Sequence, residues 1–456
     1  MGGMSAPTAA EAPDPLVHIG PPPMRSAPPQ TPPAVGGGRT GARRAIAVPL
    51  LVALVFAALQ VVAHPNWTLA NDSYRYARQS LEILGASPAE ARQQAVRAYC
   101  ADRAAQRKRS RALDPVPAGS HAGRNTGLRT CLRTNAGGLA PTDPRYERIF
   151  ETRPGYPLLI SPAVALIGVA RGMWLTGLLL AIGASLLVVA VLRQVGGSPT
   201  AAVAGQLLFL SSRLGWWTAQ PLAEGAVTVG VLAALLGAWW LLHGRRPAGA
   251  GLLLAALGAT ALVKYSAALT LACALALAAA CLLFARPGRP PAAARTGAVP
   301  LAALAGASAA LIAVGASALR LPDAAESLQD TFSRNFHRAL VTDPWQRLLG
   351  LDVHYWAQWL RDQAAQPLLP VLLCLAGWAL LRRCRVLGVL AAAAAAVGVA
   401  TAAAHPLVSQ QDRLWALLWV PVVLGVPLAV DLLRSGRVVP EPAAPTAVSG
   451  AALPRR

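Results

Sequence analysis

Long apolar runs recur along almost the whole chain, and they exclude a water-soluble fold. A helix of about 20 apolar residues is long enough to cross a bilayer, and 55% of the 456 residues are hydrophobic while only 13% are charged. The sequence therefore predicts an all-α, polytopic membrane protein of about ten transmembrane helices. The runs lie near residues 46–64, 172–192, 199–212, 221–242, 248–263, 265–284, 297–319, 367–381, 386–404 and 414–433.

The distribution of basic residues predicts how these helices are oriented. An eleventh apolar stretch, residues 155–170, decides the assignment. If this stretch does not cross the membrane and the N-terminus is inside, the Arg-containing connections that follow residues 192, 242, 284 and 381 are all cytoplasmic. The pattern therefore favours a short interfacial or half-inserted helix at 155–170, a multi-pass protein of the plasma membrane, and two cytoplasmic termini.

The domain organisation follows from composition and from this topology. Residues 1–44 and 434–456 contain few large apolar side chains and much Pro, Gly and Ala, so we expect disordered cytoplasmic tails. Residues 45–433 form the predicted membrane domain, with large outer loops at 65–154 and 320–366. The net charge of +21 comes from clusters between apolar runs and from the first outer loop. We interpret it as a sign of contact with the lipid bilayer and not with nucleic acid.

The first outer loop carries two helix signals. In "NDSYRYARQSLEILG" the apolar residues share one helical face, which predicts an amphipathic helix lying on the membrane. They are Tyr74, Ala77, Leu81 and Leu84. In "SPAE", residues 87–90, a capping serine is followed by proline and then by glutamate at the third helical position, so a second helix is predicted to begin there.

Two cysteines, Cys100 and Cys131, are the only ones in the predicted outer loops. A disulfide is plausible in an oxidising compartment, and two free thiols are the alternative.

Ionisable residues gather at the predicted outer ends of the helices. They are Asp72, Glu151, Arg153, Glu224, Lys264 and Arg413. Such residues at membrane depth are costly and are usually functional or paired. A carboxylate can accept a proton from an acceptor hydroxyl while cations stabilise a phosphate leaving group. Each residue also has a structural alternative. Asp72 could cap a helix that begins at Ser73, which is compatible with a role in a site, and Glu151 and Arg153 could form an interfacial ion pair. Glu224 could be a helix-start carboxylate stabilised by the helix dipole, Lys264 could snorkel from the end of a span, and Arg413 could pair with Asp412.

Four stretches in this order resemble the GT-C superfamily of integral-membrane glycosyltransferases, especially the branch of the protein O-mannosyltransferases and the lipid A aminoarabinose transferase. They are "NDSYRYA", "FETRPGYPLL", "DVHYWAQWL" and "HPLVSQQDRLWALLWVP". The resemblance implies a GT-C-like fold, a polyprenyl-phosphate sugar donor and a hydroxyl acceptor. It implies that Asp72 is the catalytic or metal-linked aspartate, that Glu151 supports it, and that Lys264 and Arg413 contact the lipid phosphate.

Further candidate substrate-binding residues are Arg75, Arg153, Glu224, His354 and Tyr355, the last two in an aromatic stretch that could instead be an interfacial belt. Where the family more commonly has an acidic pair, this chain has Asn71 and Asp72. The sequence predicts no specific cofactor and leaves a divalent metal open. Two other functions stay open as well: a non-catalytic protein of cell-envelope assembly, and a transporter, although a transporter would carry more ionisable residues in mid-span.

Overall fold

The computed structural model describes residues 39–63, 68–113, 115, 126–284 and 292–435, and this part of the chain is helical without any strand. Most of both predicted tails lies outside the described residues. The helices are α1 (Arg39–Ala63), α2 (Asn71–Ile83), α3 (Pro88–Ala112), α4 (Thr126–Thr134), α5 (Pro144–Glu151), α6 (Gly155–Ile167), α7 (Val169–Gln194), α8 (Pro199–Ser211), α9 (Arg213–Ala219), α10 (Glu224–Leu242), α11 (Arg246–Phe284), α12 (Ala292–Ala318), α13 (Ala324–Phe332), α14 (Pro344–Ala365), α15 (Leu368–Arg383), α16 (Arg385–Ala404), α17 (Gln411–Leu414) and α18 (Val420–Ser435).

The chain divides into two units, residues 1–44 and residues 45–456. Of the first unit the structure describes only the beginning of α1.

Helices that can cross a membrane dominate the described chain, so the all-helical, multi-pass character is confirmed. Seven helices are long and apolar enough to span, or up to eight if α14 and α15, which meet at an 87° bend, count as one broken span. The predicted number of ten is not reached by this measure. Two reasons are visible: α8 has only 13 residues, and two predicted spans are joined in the single 39-residue helix α11.

A break in α11 separates its two halves. Lys264 has φ −160° and ψ 87°, which no helical residue adopts. An unbroken helix of 39 residues would be roughly 58 Å long, about twice the thickness of a hydrocarbon core. Each half of α11 has the length of one span, and Lys264 lies where the sequence predicted a turn between two of them.

The apolar stretch after residue 154 forms the short helix α6 and the long helix α7. They meet at Gly168, whose φ of +81° is left-handed, and α6 with 13 residues is shorter than a full span. At the other end of α6, a Cβ atom added to Gly155 would lie 2.7 Å from the backbone carbon of Leu262. This close approach sets the start of α6 against the break in α11.

Helix α2 begins two residues earlier than the cap interpretation required. Its N-cap is Ala70, and Asp72 lies inside the first turn, so the prediction that Asp72 caps a helix starting at Ser73 is wrong. The hydroxyl of Ser73 instead accepts a hydrogen bond from the Ala70 amide at 3.0 Å. It donates one to the carbonyl of Pro221 at 2.8 Å. The carboxylate of Asp72 is therefore not engaged in capping.

The apolar face of α2 packs on protein. Tyr74, Ala77 and Leu81 belong to the buried core, with 1%, 0% and 8% of their surfaces exposed, whereas Leu84 is exposed. The prediction that this face lies on the membrane is wrong for these three residues, because neighbouring helices cover them. An amphipathic pattern shows that a face is buried and does not show what buries it.

The second helix predicted between residues 65 and 154 begins at the expected position. Ser87 is the N-cap of α3, Pro88 follows it, and the Glu90 carboxylate accepts hydrogen bonds from the Ser87 amide and hydroxyl. Further along, a disulfide between Cys100 and Cys131 joins α3 to α4, with Cα atoms 5.7 Å apart. The thiols of these two residues are thus not free.

Candidate functional site

An arginine joins two carboxylates that lie far apart in the sequence. Nη2 of Arg413, in α17, donates a hydrogen bond to Oδ2 of Asp72 at 2.6 Å. Nε of the same guanidinium donates to Oε1 of Glu224, the first residue of α10, at 2.8 Å. The exposed fraction of the side chain is 18% for Arg413, 21% for Asp72 and 17% for Glu224. They form a largely buried triad that solvent still reaches.

Two more cations lie beside this triad. Lys264, at the break in α11, interacts electrostatically with Glu224, Asp72 and Arg413. Arg153, which follows α5, interacts with Asp72 and Lys264. We call these five residues the charge cluster. Three cations against two carboxylates leave the charge cluster one positive charge in excess, so a bound anion would neutralise it.

The cations hold Asp72 in its charged form. Burial alone would raise the pKa of this carboxyl, but the charge and hydrogen bond of Arg413, with the charges of Arg75 and Arg153, outweigh it. The pKa of Asp72 is therefore lower than usual, and the side chain is a carboxylate at neutral pH.

Several buried polar atoms at the charge cluster have no hydrogen-bond partner among the described residues. They are Oε2 of Glu224, Nε of Arg153 and the hydroxyl of Tyr156. Buried polar groups are normally paired, and unpaired ones in a cluster suggest a place for a ligand or for water. Tyr156 packs edge-on against Tyr76 with ring centroids 5.0 Å apart. Both tyrosines interact electrostatically with Glu224.

Helix α13, in the segment 320–366, packs next to the charge cluster. The hydroxyl of Thr331 lies 2.9 Å from Nδ1 of His405. Burial, together with the charges of Lys264, Arg153 and Arg413, lowers the pKa of His405 to about 4, so its ring is neutral at pH 7. The neighbouring Asp330 behaves in the opposite way, because burial raises its pKa to about 6.

An aromatic series leads from α14 towards Arg413. Tyr355, Trp356, Trp359 and Trp415 follow one another with ring centroids 5.2, 5.6 and 6.4 Å apart. Trp415 is two residues from Arg413. The hydroxyl of Tyr355 is buried without a hydrogen-bond partner in the described chain. An apolar wall with a few polar atoms is typical of small-molecule sites.

Three predicted site residues lie elsewhere or have another role. Arg75 is fully buried: its guanidinium donates to the carbonyls of Leu139 and Pro141 and pairs with Glu147 at 3.1 Å. We therefore interpret Arg75 as a structural residue that holds the segment before α5 and not as a substrate ligand.

Glu151 and His354 are both exposed. The Glu151 side chain keeps 56% of its surface exposed and pairs with Arg78 at 3.5 Å, whereas Asp72 pairs with Arg413. Nδ1 of His354 lies 2.7 Å from the carbonyl oxygen of Gly350, one turn earlier in α14. Neither side chain is part of the charge cluster.

The charge cluster does not fit a metal site made by protein ligands alone. Within the described chain, no group of three or more His, Cys, Asp or Glu residues could hold a metal ion. The two carboxylates that could share one, Asp72 and Glu224, are joined by the guanidinium of Arg413. The positively charged group between these two carboxylates is thus the side chain of Arg413.

Sequence reasoning did not select Tyr76, Tyr156 or Asp330. A signal existed for the first, because Tyr76 follows Asp72 by four residues and so lies on the same face of α2. Tyr156 stands in the quoted stretch "FETRPGYPLL" and is the second residue of the apolar stretch 155–170. No pattern in the sequence distinguishes Asp330 from the other carboxylates of the second outer loop.

Comparisons with known proteins do not identify a relative. No family model matches the chain, and neither the curated proteins nor the solved structures contain a match.

Proposed function

We propose that this protein is a membrane glycosyltransferase that moves a sugar from a polyprenyl-phosphate donor to a hydroxyl acceptor. The observation that carries the proposal is the charge cluster, in which Asp72 and Glu224 share Arg413 while Lys264 and Arg153 stand beside them. The resemblance of four sequence stretches to the GT-C superfamily supports the same reaction. In this proposal the charge cluster lies at the outer face of the plasma membrane, and both termini are cytoplasmic.

The donor phosphate binds to the cations of the charge cluster. Arg413 offers a planar fork that suits phosphate oxygens, and Lys264 adds a compact charge. The unpartnered Nε of Arg153 adds a further donor. The excess positive charge of the charge cluster favours binding of this anionic phosphate. The aromatic series from Tyr355 to Trp415 forms a wall for the sugar or for the first prenyl unit.

The acceptor hydroxyl reacts at the anomeric carbon of the sugar. Its oxygen forms a bond to that carbon, the bond from the carbon to the phosphate oxygen breaks, and the electron pair leaves with the polyprenyl phosphate. The hydroxyl proton passes to the carboxylate of Asp72. Cations that hold the phosphate stabilise the negative charge that develops on it.

Arg413 couples donor binding to the basicity of Asp72. In the free protein the guanidinium lowers the pKa of Asp72, which makes the carboxylate a weak base. A donor phosphate competes for the same guanidinium, so its binding weakens the ion pair and raises the pKa of Asp72. Glu224 keeps hold of the guanidinium through Nε and orients it during this exchange.

The decisive test is transfer of label from polyprenyl-phosphate sugars. Membranes with and without the protein are incubated with a panel of radiolabelled polyprenyl-phosphate hexoses and pentoses, and incorporation into non-lipid products is counted. Asp72→Asn should lower the rate at least about a hundredfold, since a general base contributes roughly 10² to 10⁴.

The matched control is Asp343→Asn. Asp343 is an exposed carboxylate that accepts a hydrogen bond from Arg347 at 2.8 Å on α14, and its change to Asn should leave transfer unchanged. Full activity of an Asp72→Asn protein with normal expression would refute the proposed role of Asp72. Absence of protein-dependent transfer from every donor in the panel would refute the proposed function.

A further inference from the structure

A pocket lies between α3 and α4, next to Asn71 in the first turn of α2. It is a cavity of about 450 Å³, within the range of roughly 300–1,000 Å³ that small-molecule sites occupy. The disulfide between Cys100 and Cys131 forms part of its wall. We call it the α3–α4 pocket.

Two arginines give the α3–α4 pocket its charge. Arg103 and Arg107 are four residues apart and so lie on one face of α3, and both line the cavity. The guanidinium of Arg103 stacks over the ring of Tyr99, 5.3 Å from its centroid, which holds it in place. Two arginines on one face of a helix that line the same cavity can together bind a phosphate or carboxylate group.

The surrounding helices do not neutralise this charge. The sequences of α3 and α4 contain nine Lys and Arg residues but only two acidic residues, Glu90 and Asp102. Both acids are used by the protein itself. Glu90 accepts hydrogen bonds at the start of α3, and Asp102 accepts one from the Leu69 amide at 2.7 Å. The two carboxylates keep their negative charges, but the nine basic residues far outnumber them, so the field at the α3–α4 pocket is positive.

The rest of the lining suits a sugar. Asn71, Thr130, Thr134 and Asn135 supply polar atoms, and Tyr99 supplies an aromatic ring. Asn71 also places this pocket beside the charge cluster, because it precedes Asp72 directly in the first turn of α2. Its side chain is fixed there: Nδ2 donates to the carbonyl of Ala140 at 3.2 Å, and Oδ1 accepts from Arg75 at 2.7 Å.

We infer that the α3–α4 pocket binds the acceptor, and that the acceptor is an anionic saccharide carrying a phosphate or carboxylate group. This inference rests on the proposed function, since it gives the acceptor of that reaction its chemical class. Arg103 and Arg107 bind the anionic group, the polar side chains and Tyr99 contact the sugar, and the reacting hydroxyl extends past Asn71 towards Asp72, the next residue of the chain.

Binding of a sugar phosphate tests the inference without any need for turnover. Full-length protein in phosphatidylcholine nanodiscs is titrated calorimetrically with glucose 6-phosphate and with glucose. Glucose 6-phosphate should bind at least about tenfold more tightly, because charge-assisted hydrogen bonds are roughly twice as strong as neutral ones. Equal affinity for the two sugars, or no binding of glucose 6-phosphate at millimolar concentration, would overturn the inference.

Variants locate the bound phosphate. The double variant Arg103→Gln/Arg107→Gln should weaken binding of glucose 6-phosphate at least about tenfold. The control, Arg129→Gln/Arg133→Gln, removes the same charge from exposed positions of α4 that do not line the cavity, and should change binding less than about twofold. If binding survives the first double variant but is lost in Lys264→Gln, the sugar phosphate occupies the charge cluster and the inference is wrong.

Two further arms separate the remaining outcomes. Nanodiscs that contain phosphatidylglycerol should leave the affinity unchanged, whereas competition by this lipid would show that the α3–α4 pocket binds a lipid head group and would contradict an acceptor role. Asp72→Asn should retain binding of glucose 6-phosphate. A protein that binds the sugar phosphate as expected but transfers no label thus contradicts the proposed function and not the anion site.

Discussion

Replacing Arg413 by lysine tests whether one guanidinium must serve two carboxylates at once. Arg413 uses two different nitrogens, Nη2 for Asp72 and Nε for Glu224, at 2.6 and 2.8 Å. Lysine keeps the charge but carries a single ammonium nitrogen on a flexible stem. It can approach one carboxylate closely and leaves the other without its hydrogen bond. Arg413→Lys therefore changes geometry while the net charge of the charge cluster stays the same.

The size of the effect follows from that lost bond. A hydrogen bond to a charged group contributes about 1.5–3 kcal/mol. Because the three side chains keep between 17% and 21% of their surface exposed, the lower end of that range applies. In the proposed reaction the donor phosphate competes with Asp72 for the guanidinium, so the hydrogen bond lost in the transition state is one to the phosphate or to Glu224. A loss of about 1.5 kcal/mol there slows transfer roughly tenfold. The free energy of unfolding should fall by a similar or smaller amount.

The assay is sugar transfer by purified protein in nanodiscs, with kcat/KM measured for the donor and the thermal unfolding midpoint measured in parallel. Arg347→Lys is the control. Arg347 pairs with Asp343 on the exposed side of α14, where an ion pair contributes about 0–1 kcal/mol, so this change should leave both quantities unaltered. If Arg413→Lys transfers sugar at the rate of the unaltered protein, the guanidinium fork has no catalytic role and the coupling to Asp72 fails.

Two further predictions concern residues around the charge cluster. Glu151→Gln should retain full transfer activity, because Glu151 is exposed and pairs with Arg78; a large loss of kcat would restore the catalytic role that the sequence suggested. The dependence of stability on pH should change in opposite directions in Asp330→Asn and His405→Gln. It is measured as unfolding midpoints from pH 3.5 to 7. Asp330 favours the folded state below its ordinary pKa of 3.8 and loses this contribution as pH rises to about 6, so Asp330→Asn should make stability rise more steeply with pH. The contribution of His405 to the stability of the folded state is lost as pH falls from 6.5 towards about 4, so His405→Gln should make stability rise less steeply with pH. Parallel stability curves for all three proteins would contradict both pKa values.

The sequence predicted which residues meet because the ends of membrane helices alternate between two sides. Counting apolar runs assigned Asp72, Arg153, Glu224, Lys264 and Arg413 to one side of the bundle, and the structure brings all five together. Their convergence needed no knowledge of side-chain contacts. It follows from the lengths of the helices and from the sign of the charges that connect them.

Position around a helix axis was not predictable in the same way. Arg75 follows Asp72 by three residues, and a helical projection puts the two on neighbouring positions. Only the fold shows that carbonyls of Leu139 and Pro141 surround the Arg75 guanidinium while Asp72 faces Arg413. Which segment packs on which side of α2 depends on contacts between residues more than sixty positions apart.

The break in α11 and the start of α6 that packs against it determine which cations reach the charge cluster. Lys264 reaches the charge cluster only because the backbone of α11 departs from helical geometry at that residue, and the start of α6 packs against the break through Gly155. A larger residue at position 155 would collide with the backbone of Leu262 and push the start of α6 away. Arg153, two residues earlier, would move with it. The cationic side of the charge cluster thus depends on Gly155, which carries no charge, and on the non-helical backbone at Lys264, so backbone packing sets the arrangement of its charges.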